Sequence, residues 1–259
     1  MKEHPILFST DMVKAILEDR KTMTRRIVNP QPVFDEDSGR VFSGHVPAKR
    51  SPFDIHNWKE PFAEFFSKTK PGDAMWVRET WSPTINIPET KNWYKASADE
   101  VAAMMITWKP SIFMLKEDAR IWLEAISEKV ERIAEISDED CIREGILFYD
   151  DDILEERRYK DYFNTPEGFG HPDFDYLSFD NPREFFRSLW QKINGKPKPV
   201  QKKVNGKLKT VGYIVYPFDA EAGKEFKGKK TWRGKPLTVV INPVVRIIEF
   251  NTLSKTGKP

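Results

Sequence analysis

Short blocks of alternating apolar and polar residues dominate the chain, interrupted by a few segments with helical spacing. Pro5–Phe8 is apolar and predicts an opening strand. Ser9, Thr10 and Asp11 offer N-cap oxygens. Met12, Val13, Ile16 and Leu17 then recur at the spacing of a helix buried on one side, which ends near Asp19-Arg20. Thr22–Val28 alternates and is rich in β-formers, so it predicts a second strand. Residues 30–70 are rich in Pro, Asp, Ser and Lys and predict loop, with one short helix near 61–67. Pro71-Gly72-Asp73 is a turn signal, and a strand follows from Ala74 to Trp81. Residues 82–118 read as irregular.

The run "ARIWLEAISEKVERIAEI" (119–136) has apolar residues on both faces and predicts a long strand, bent or bulged. Ser137 with Asp140 opens a short helix that runs to Glu144, and Gly145 ends it. Asn181 caps the clearest helix, with Pro182 at its first position and Gly195 closing it. Phe185, Phe186, Leu189, Trp190 and Ile193 form its apolar stripe. Asn205-Gly206 predicts a hairpin turn. "LTVVINPVVRIIEF" supplies closing strands, with Pro243 at an edge or a break, and the tail from Asn251 reads as loose. This order predicts an α+β fold: a small mixed sheet or barrel with peripheral helices. The absence of internal repeats, of regular βα alternation and of glycine-rich phosphate loops argues against a doubly wound nucleotide-binding sheet.

Composition modifies this outline in two places. Residues 150–180 hold ten Asp/Glu against three Lys/Arg, and residues 196–236 hold eleven Lys and one Arg against three acids. The second segment suits a polyanion or is simply a solvated insertion. The single cysteine, Cys141, excludes an intramolecular disulfide and a cysteine-based zinc cluster, and His4, His45, His56 and His171 are scattered. The acidic triplet Asp150 to Asp152 is either a divalent-ion site or a disordered acidic loop, the latter being the expectation, so no metal and no cofactor is implied. "MKEHPILFST" lacks the apolar core of a signal peptide and no apolar run reaches membrane length, which points to a cytoplasmic protein with no membrane partner.

Four segments together resemble the ASCH family, a branch of the PUA-like barrels. They are "KAILEDRKTMTRR" (14–26), "GDAMWVRETW" (72–81), "ARIWLEAISEKVERIAEISDEDCIREGI" (119–146) and the late pair "FFRSLW" with "NPVVRIIEF". "WKPSI" (108–112) is similar to a longer form common in phage genomes. The resemblance implies one PUA-like domain over residues 1–259, with insertions at about 30–70, 146–180 and 196–236. It also implies either of two activities. One is hydrolysis of an acylated or modified pyrimidine, as in the amidohydrolases that deacetylate N4-acetylcytidine. The other is binding of nucleic acid, RNA rather than DNA, with or without metal-independent RNA cleavage. Matched motif to motif, the catalytic set of the amidohydrolases falls on Lys21, Thr24 and Glu144.

The residue chemistry suits amide hydrolysis, which needs a nucleophile, a base and a proton donor. Thr24 offers the hydroxyl. Lys21 serves as the base only if burial or the neighbouring Arg25 and Arg26 favour its neutral form. Glu144 ends a short helix, where the negative end of the dipole disfavours a carboxylate and suits a proton donor. In an ideal strand residues 21 and 24 point to opposite faces, so Lys21 must lie in the turn before the strand, or the strand must be bulged. A basic strand end and a solvated helix end explain the same residues without chemistry. Arg25 and Arg26 suit either phosphate contacts or salt bridges. Arg78 and Glu79 are expected to pair with each other, or Arg78 to line a pocket. Trp76, Trp81 and Trp122 are expected in the core, whereas Trp93, Tyr94 and Trp108 are candidates to stack on a base.

Overall fold

The computed structural model describes residues 1–42, 53–83, 92–146, 148–151, 156–160, 178–179 and 181–259. Its centre is one five-stranded mixed sheet built from β1 (Glu3–Leu7), β2 (Met23–Ile27), β3 (Ala74–Arg78), β4 (Trp122–Arg132) and the last strand of the chain, Val244–Ser254. Before that last strand come β5 (Lys198–Val204), β6 (Lys207–Val215) and β7 (Lys235–Val239), so Val244–Ser254 is β8. The order across the central sheet is β1-β3-β4-β8-β2. β1 runs parallel to β3, and every other pair is antiparallel.

Helix α1 (Thr10–Leu17) connects the two edge strands, β1 and β2, and starts where the sequence places it, with Ser9 Oγ accepting from the Met12 amide. It buries Val13 and Ile16 against β3, β4 and β8 through Met75, Val77, Leu123, Ile248 and Phe250, and Ala15 is buried beside Gly145. Asp19, at φ 58°, turns the chain out of the helix and back toward β2. The architecture is α+β with several sheets, but no closed barrel forms among the described residues. β1 and β2 share no strand pairing. They approach closely enough for Arg26 Nη2 to donate to the Leu7 carbonyl at 2.5 Å, so a side chain spans the gap where a barrel would have a backbone ladder.

β4 is the long strand, and it is bulged as its pattern predicts: Ser127 pairs with Glu249 and Ala125 with Phe250, leaving Ile126 unopposed and exposed. α4 (Asp138–Arg143) is capped by Ser137, whose hydroxyl accepts from the Asp140 amide, and Glu144 closes it. α5 (Pro182–Asn194) keeps the predicted Asn181 cap and packs Phe185, Phe186, Leu189 and Trp190 against Ile133, Ile136, Cys141 and Ile146. Burial in that layer pushes the Cys141 thiol up to about 12, which leaves it inert.

Several expectations need correction. Residues 30–70 are not simply loop with one helix. Val33–Asp35, Arg40–Phe42 and Phe53–Asp54 form a small sheet covered by α2 (Lys59–Phe66), with Val41, Trp58 and Phe62 buried. Among its described residues the 82–118 stretch contains α3 (Glu100–Met105) and three 3₁₀ turns. The tail is not loose, because β8 runs to Ser254 against β4 and Lys255 Nζ then donates to the Leu17 carbonyl and to Asp19. The Lys-rich 196–236 segment is partly core: the β5–β6 hairpin turns at Asn205-Gly206, both at positive φ, and continues into buried Val215, Tyr216 and Phe218. Side chains of the acidic triplet lie outside the described residues, as does most of 152–180. No described helix is long and apolar enough to cross a membrane.

Asp73 ties the N-terminus to the turn before β3. Its carboxylate accepts from the amides of Lys2 at 2.8 Å and Lys70 at 3.0 Å, with His4 Nε2 at 3.3 Å. These bonds, led by the Lys2 amide, hold it at about 2, below its ordinary 3.8. Because the folded value is the lower one, the stabilisation is present above 3.8 and disappears as pH falls through about 2. The melting temperature of the wild type is therefore expected to exceed that of Asp73→Asn near neutral pH, with the gap closing as pH falls across this window. Thermal melts at a series of pH values check this, and a gap independent of pH contradicts it.

Candidate functional site

A cavity of about 390 Å³ opens between α5 and the β1–α1–β2 corner, within the roughly 300–1,000 Å³ range of small-molecule sites. Lys21, Thr24, Arg25, Arg26 and Glu144 all line it. The geometric difficulty posed by residues 21 and 24 is resolved by the first route: β2 begins at Met23, and Lys21 precedes it. Lys21 forms an isolated bridge with Glu144, and the Thr22 amide donates to the Arg143 carbonyl at 2.9 Å. The end of α4 is thus laced directly onto the entry to β2.

Gly145 permits this contact. Its φ is +85°, and a Cβ there would lie 2.6 Å from Lys21 Cβ and 2.8 Å from Ala15 Cβ. Neither atom is the free end of a flexible side chain, so only glycine fits against α1 and the bridge.

The charged groups are buried and mutually paired. Lys21 Nζ donates at 2.7 Å to both the side chain and the backbone carbonyl of Glu144. Burial is the largest influence on Lys21 and draws its ammonium below the ordinary lysine range. Glu144 opposes this, while Arg26 and Arg25 add to it. Arg25 sits behind the pair with its side chain 1% exposed, gripping Glu131 at 2.8 Å, Asp140 at 2.6 Å and Glu144 at 3.3 Å. Burial opposes its charge, but Glu144 and Glu131 outweigh that and raise it above the usual arginine value. Three carboxylates therefore claim Arg25, which makes it a strut rather than a phosphate contact. Glu144 likewise differs from the sequence expectation: its surroundings are dominated by two cations rather than by the end of a six-residue helix.

Thr24 is 5% exposed and pairs through its backbone with Ile248. Among the described residues its hydroxyl has no hydrogen-bond partner, although it lines the cavity. Arg26 also lines the cavity and lies over the Phe8 ring at 5.0 Å. The opposite wall is apolar and comes from α5: Phe186, Leu189, Trp190 and Ile193. Trp190 Nε1 donates to the Tyr216 carbonyl at 2.8 Å, which fixes its ring. Asn194 and Lys198 stand at the rim, joined at 2.9 Å, and partial burial lowers the Lys198 ammonium.

The other predicted site residues lie elsewhere. Arg78 does not line this cavity and does not pair with Glu79; consecutive residues of an extended chain point to opposite faces. Glu79, 1% exposed, instead accepts from Nε and Nη2 of Arg120 at 2.9 and 3.0 Å, and burial raises its carboxyl. Arg78 lies over Trp76 at 5.5 Å, with its Nε buried and unpartnered among the described residues. Trp76 is therefore half-buried under a cation, whereas Trp81 and Trp122 are core as expected.

Tyr94 is likewise occupied, its hydroxyl donating to the Asp118 carbonyl and its ring covered by Arg120 at 4.2 Å. Trp93 is 36% exposed on the neighbouring face, and Trp108 is half-buried. Neither Trp93, Tyr94 nor Trp108 lines the cavity. Sequence reasoning missed Glu131 and Asp140 as holders of Arg25 and the α5 wall as a binding surface. The helical stripe was visible, but nothing in it distinguishes a core face from a cavity wall. No described group of three His, Cys, Asp or Glu is arranged to hold a metal. No family model matches the chain, and neither a curated protein nor a solved structure matches it significantly.

Proposed function

We propose that this cavity is the active site of an ASCH-type, PUA-like hydrolase that removes an acyl group from the exocyclic nitrogen of a pyrimidine, as in N4-acetylcytidine. The observation that carries the proposal is the 2.7 Å Lys21–Glu144 pair lining the same cavity as the Thr24 hydroxyl. Moving one proton from Lys21 to Glu144 converts the ion pair into a neutral amine beside a carboxylic acid. Those are the base and the proton donor that amide hydrolysis needs.

Thr24 Oγ1 attacks the acyl carbon as its proton passes to the Lys21 amine. The C–N bond breaks, and Glu144 protonates the departing N4. Water then attacks the Thr24 ester and gives one proton to Glu144, while Lys21 returns a proton to Thr24. The cycle closes with cytidine, the neutral pair and acetic acid, which loses its proton to solvent as acetate. Flat Trp190 and Phe186 on the facing wall suit a pyrimidine ring. Arg26 is the cation available to the acyl oxyanion.

The test is a panel of N4-acylcytidines of increasing acyl length, followed by NMR for equal release of cytidine and carboxylate. Acetyl is expected to be the best substrate. Absence of turnover across the whole panel by a folded chain contradicts the proposal. A second reading, nucleic-acid binding without turnover, is supported by the β5–β6 hairpin, which rises from the cavity rim at Lys198 and exposes Lys202, Lys203, Lys207 and Lys209. Stable RNA retention with no acyl release would favour it.

A further inference from the structure

A second cavity, of about 320 Å³, lies on the other side of Arg26. It shares Leu7, Arg26 and Ile27 with the first, so the two adjoin across the gap between β1 and β2. Its polar lining is Arg26, Arg246, Lys68, His4, Asn29 and Thr69, and no acidic side chain lines it among the described residues. Two of these groups already have partners: Arg246 pairs with Glu128 at 3.2 Å and His4 with Asp73 at 3.3 Å.

Arg26 is different. Its guanidinium donates to the Leu7 carbonyl and faces the Phe8 ring, yet it has no carboxylate within salt-bridge distance among the described residues. Burial draws it below the ordinary arginine value; Glu144 opposes that, and Arg246 adds to it. A desolvated guanidinium with a second guanidinium nearby and no ion-pair partner is costly, and an anion placed between them removes the cost. Arginine guanidinium suits phosphate because its planar donors match phosphate oxygens in pairs.

We infer that the second cavity holds a phosphate group of the substrate whose base occupies the first, with Arg26 and Arg246 as its ligands and Lys68 at its mouth. The inference rests on the pyrimidine reading of the first cavity and narrows it: the preferred substrate is a nucleotide or a residue within a polynucleotide, and the free nucleoside is a weaker-binding substrate of the same site. A phosphomonoester and a phosphodiester present the same oxygens, and the experiment separates them.

Isothermal titration of the full chain with cytidine, cytidine 5′-monophosphate, a cytidine-centred trinucleotide and inorganic phosphate provides the test. At least one phosphorylated ligand is expected to bind about 10- to 100-fold more tightly than cytidine, the worth of charge-assisted hydrogen bonds. A gain confined to the monophosphate identifies a free nucleotide, and a gain for the trinucleotide identifies a polynucleotide. Arg246→Gln is expected to erase the gain and leave cytidine binding unchanged. Glu128 keeps its 3.2 Å bond from Ser67 in that variant. Should Arg246→Gln not fold, Lys68→Glu, at an exposed position, serves instead and is expected to cut the gain severalfold. Equal binding of cytidine and both phosphorylated ligands overturns the phosphate site, as does a gain that survives Arg246→Gln or, where that variant does not fold, Lys68→Glu. Phosphate held through Arg246 by a chain that binds no cytosine compound supports the phosphate site and refutes the pyrimidine reading instead. Binding of neither overturns both.

Discussion

Glu144→Gln is expected to lower the free energy of unfolding by about 3–5 kcal/mol, the cost of leaving a buried charge without its partner. Lys21 would keep only neutral oxygens around an ammonium that is 1% exposed at its side chain. Arg25 would keep Glu131 and Asp140 and so is the smaller loss. Lys21→Met is expected to cost less, about 2 kcal/mol or below, because the Glu144 carboxylate retains Arg25 and a desolvated ammonium is removed. Denaturant unfolding of the two variants beside the wild type measures the asymmetry.

The same variant carries a pH signature. Removing Glu144 takes away the main influence opposing the fall in the Lys21 value. Between the folded and the ordinary lysine value the unfolded chain binds the extra proton, so stability rises with pH. The deficit of Glu144→Gln should therefore shrink as the solution is made more alkaline. Equal losses in Glu144→Gln and Lys21→Met, or a deficit that grows with pH, would contradict this description of the network.

Thr24→Val is expected to behave in the opposite way: nearly silent in stability and severe in chemistry. The hydroxyl contributes no hydrogen bond to the described residues, and valine keeps the β-branched shape that a sheet position favours. Denaturation curves should stay within about 1 kcal/mol of the wild type. Under the proposed mechanism the rate of acyl transfer should fall below detection, by about a thousandfold or more, because the proposed nucleophile is gone while Lys21, Glu144 and the α5 wall stay in place. A structural role for Thr24 predicts the reverse combination, with stability lost and turnover changed only in proportion to the folded fraction.

The sequence was most legible where a physical cause is local. Ser9, Ser137 and Asn181 cap the helices they precede, and Asn205-Gly206 makes its hairpin, because each needs only neighbours in the chain. The bulge in β4 was visible as apolar residues on both faces. Partner choice was not legible. Arg25 is held by Glu131 on β4, Asp140 on α4 and Glu144 just beyond it, a constellation created when α4 folds back on β2. Glu79 meets Arg120 across the fold rather than adjacent Arg78.

The short strands at Val33–Asp35 and Arg40–Phe42 escaped notice because three residues carry too little period to register. For the candidate site, the sequence identified Lys21, Thr24, Arg26 and Glu144 as residues of interest. The cavity that gathers them depends on Gly145 and on α5, which arrives from about forty residues further along.

The rate of acetate release from N4-acetylcytidine, compared between wild type and Thr24→Val at equal folded concentration, tests the central claim most directly. The Lys21–Thr24–Glu144 cavity predicts equal amounts of acetate and cytidine from the wild type and no measurable release from Thr24→Val. Acetate release that Thr24→Val retains, or a folded wild type inert toward N4-acetylcytidine, would contradict it.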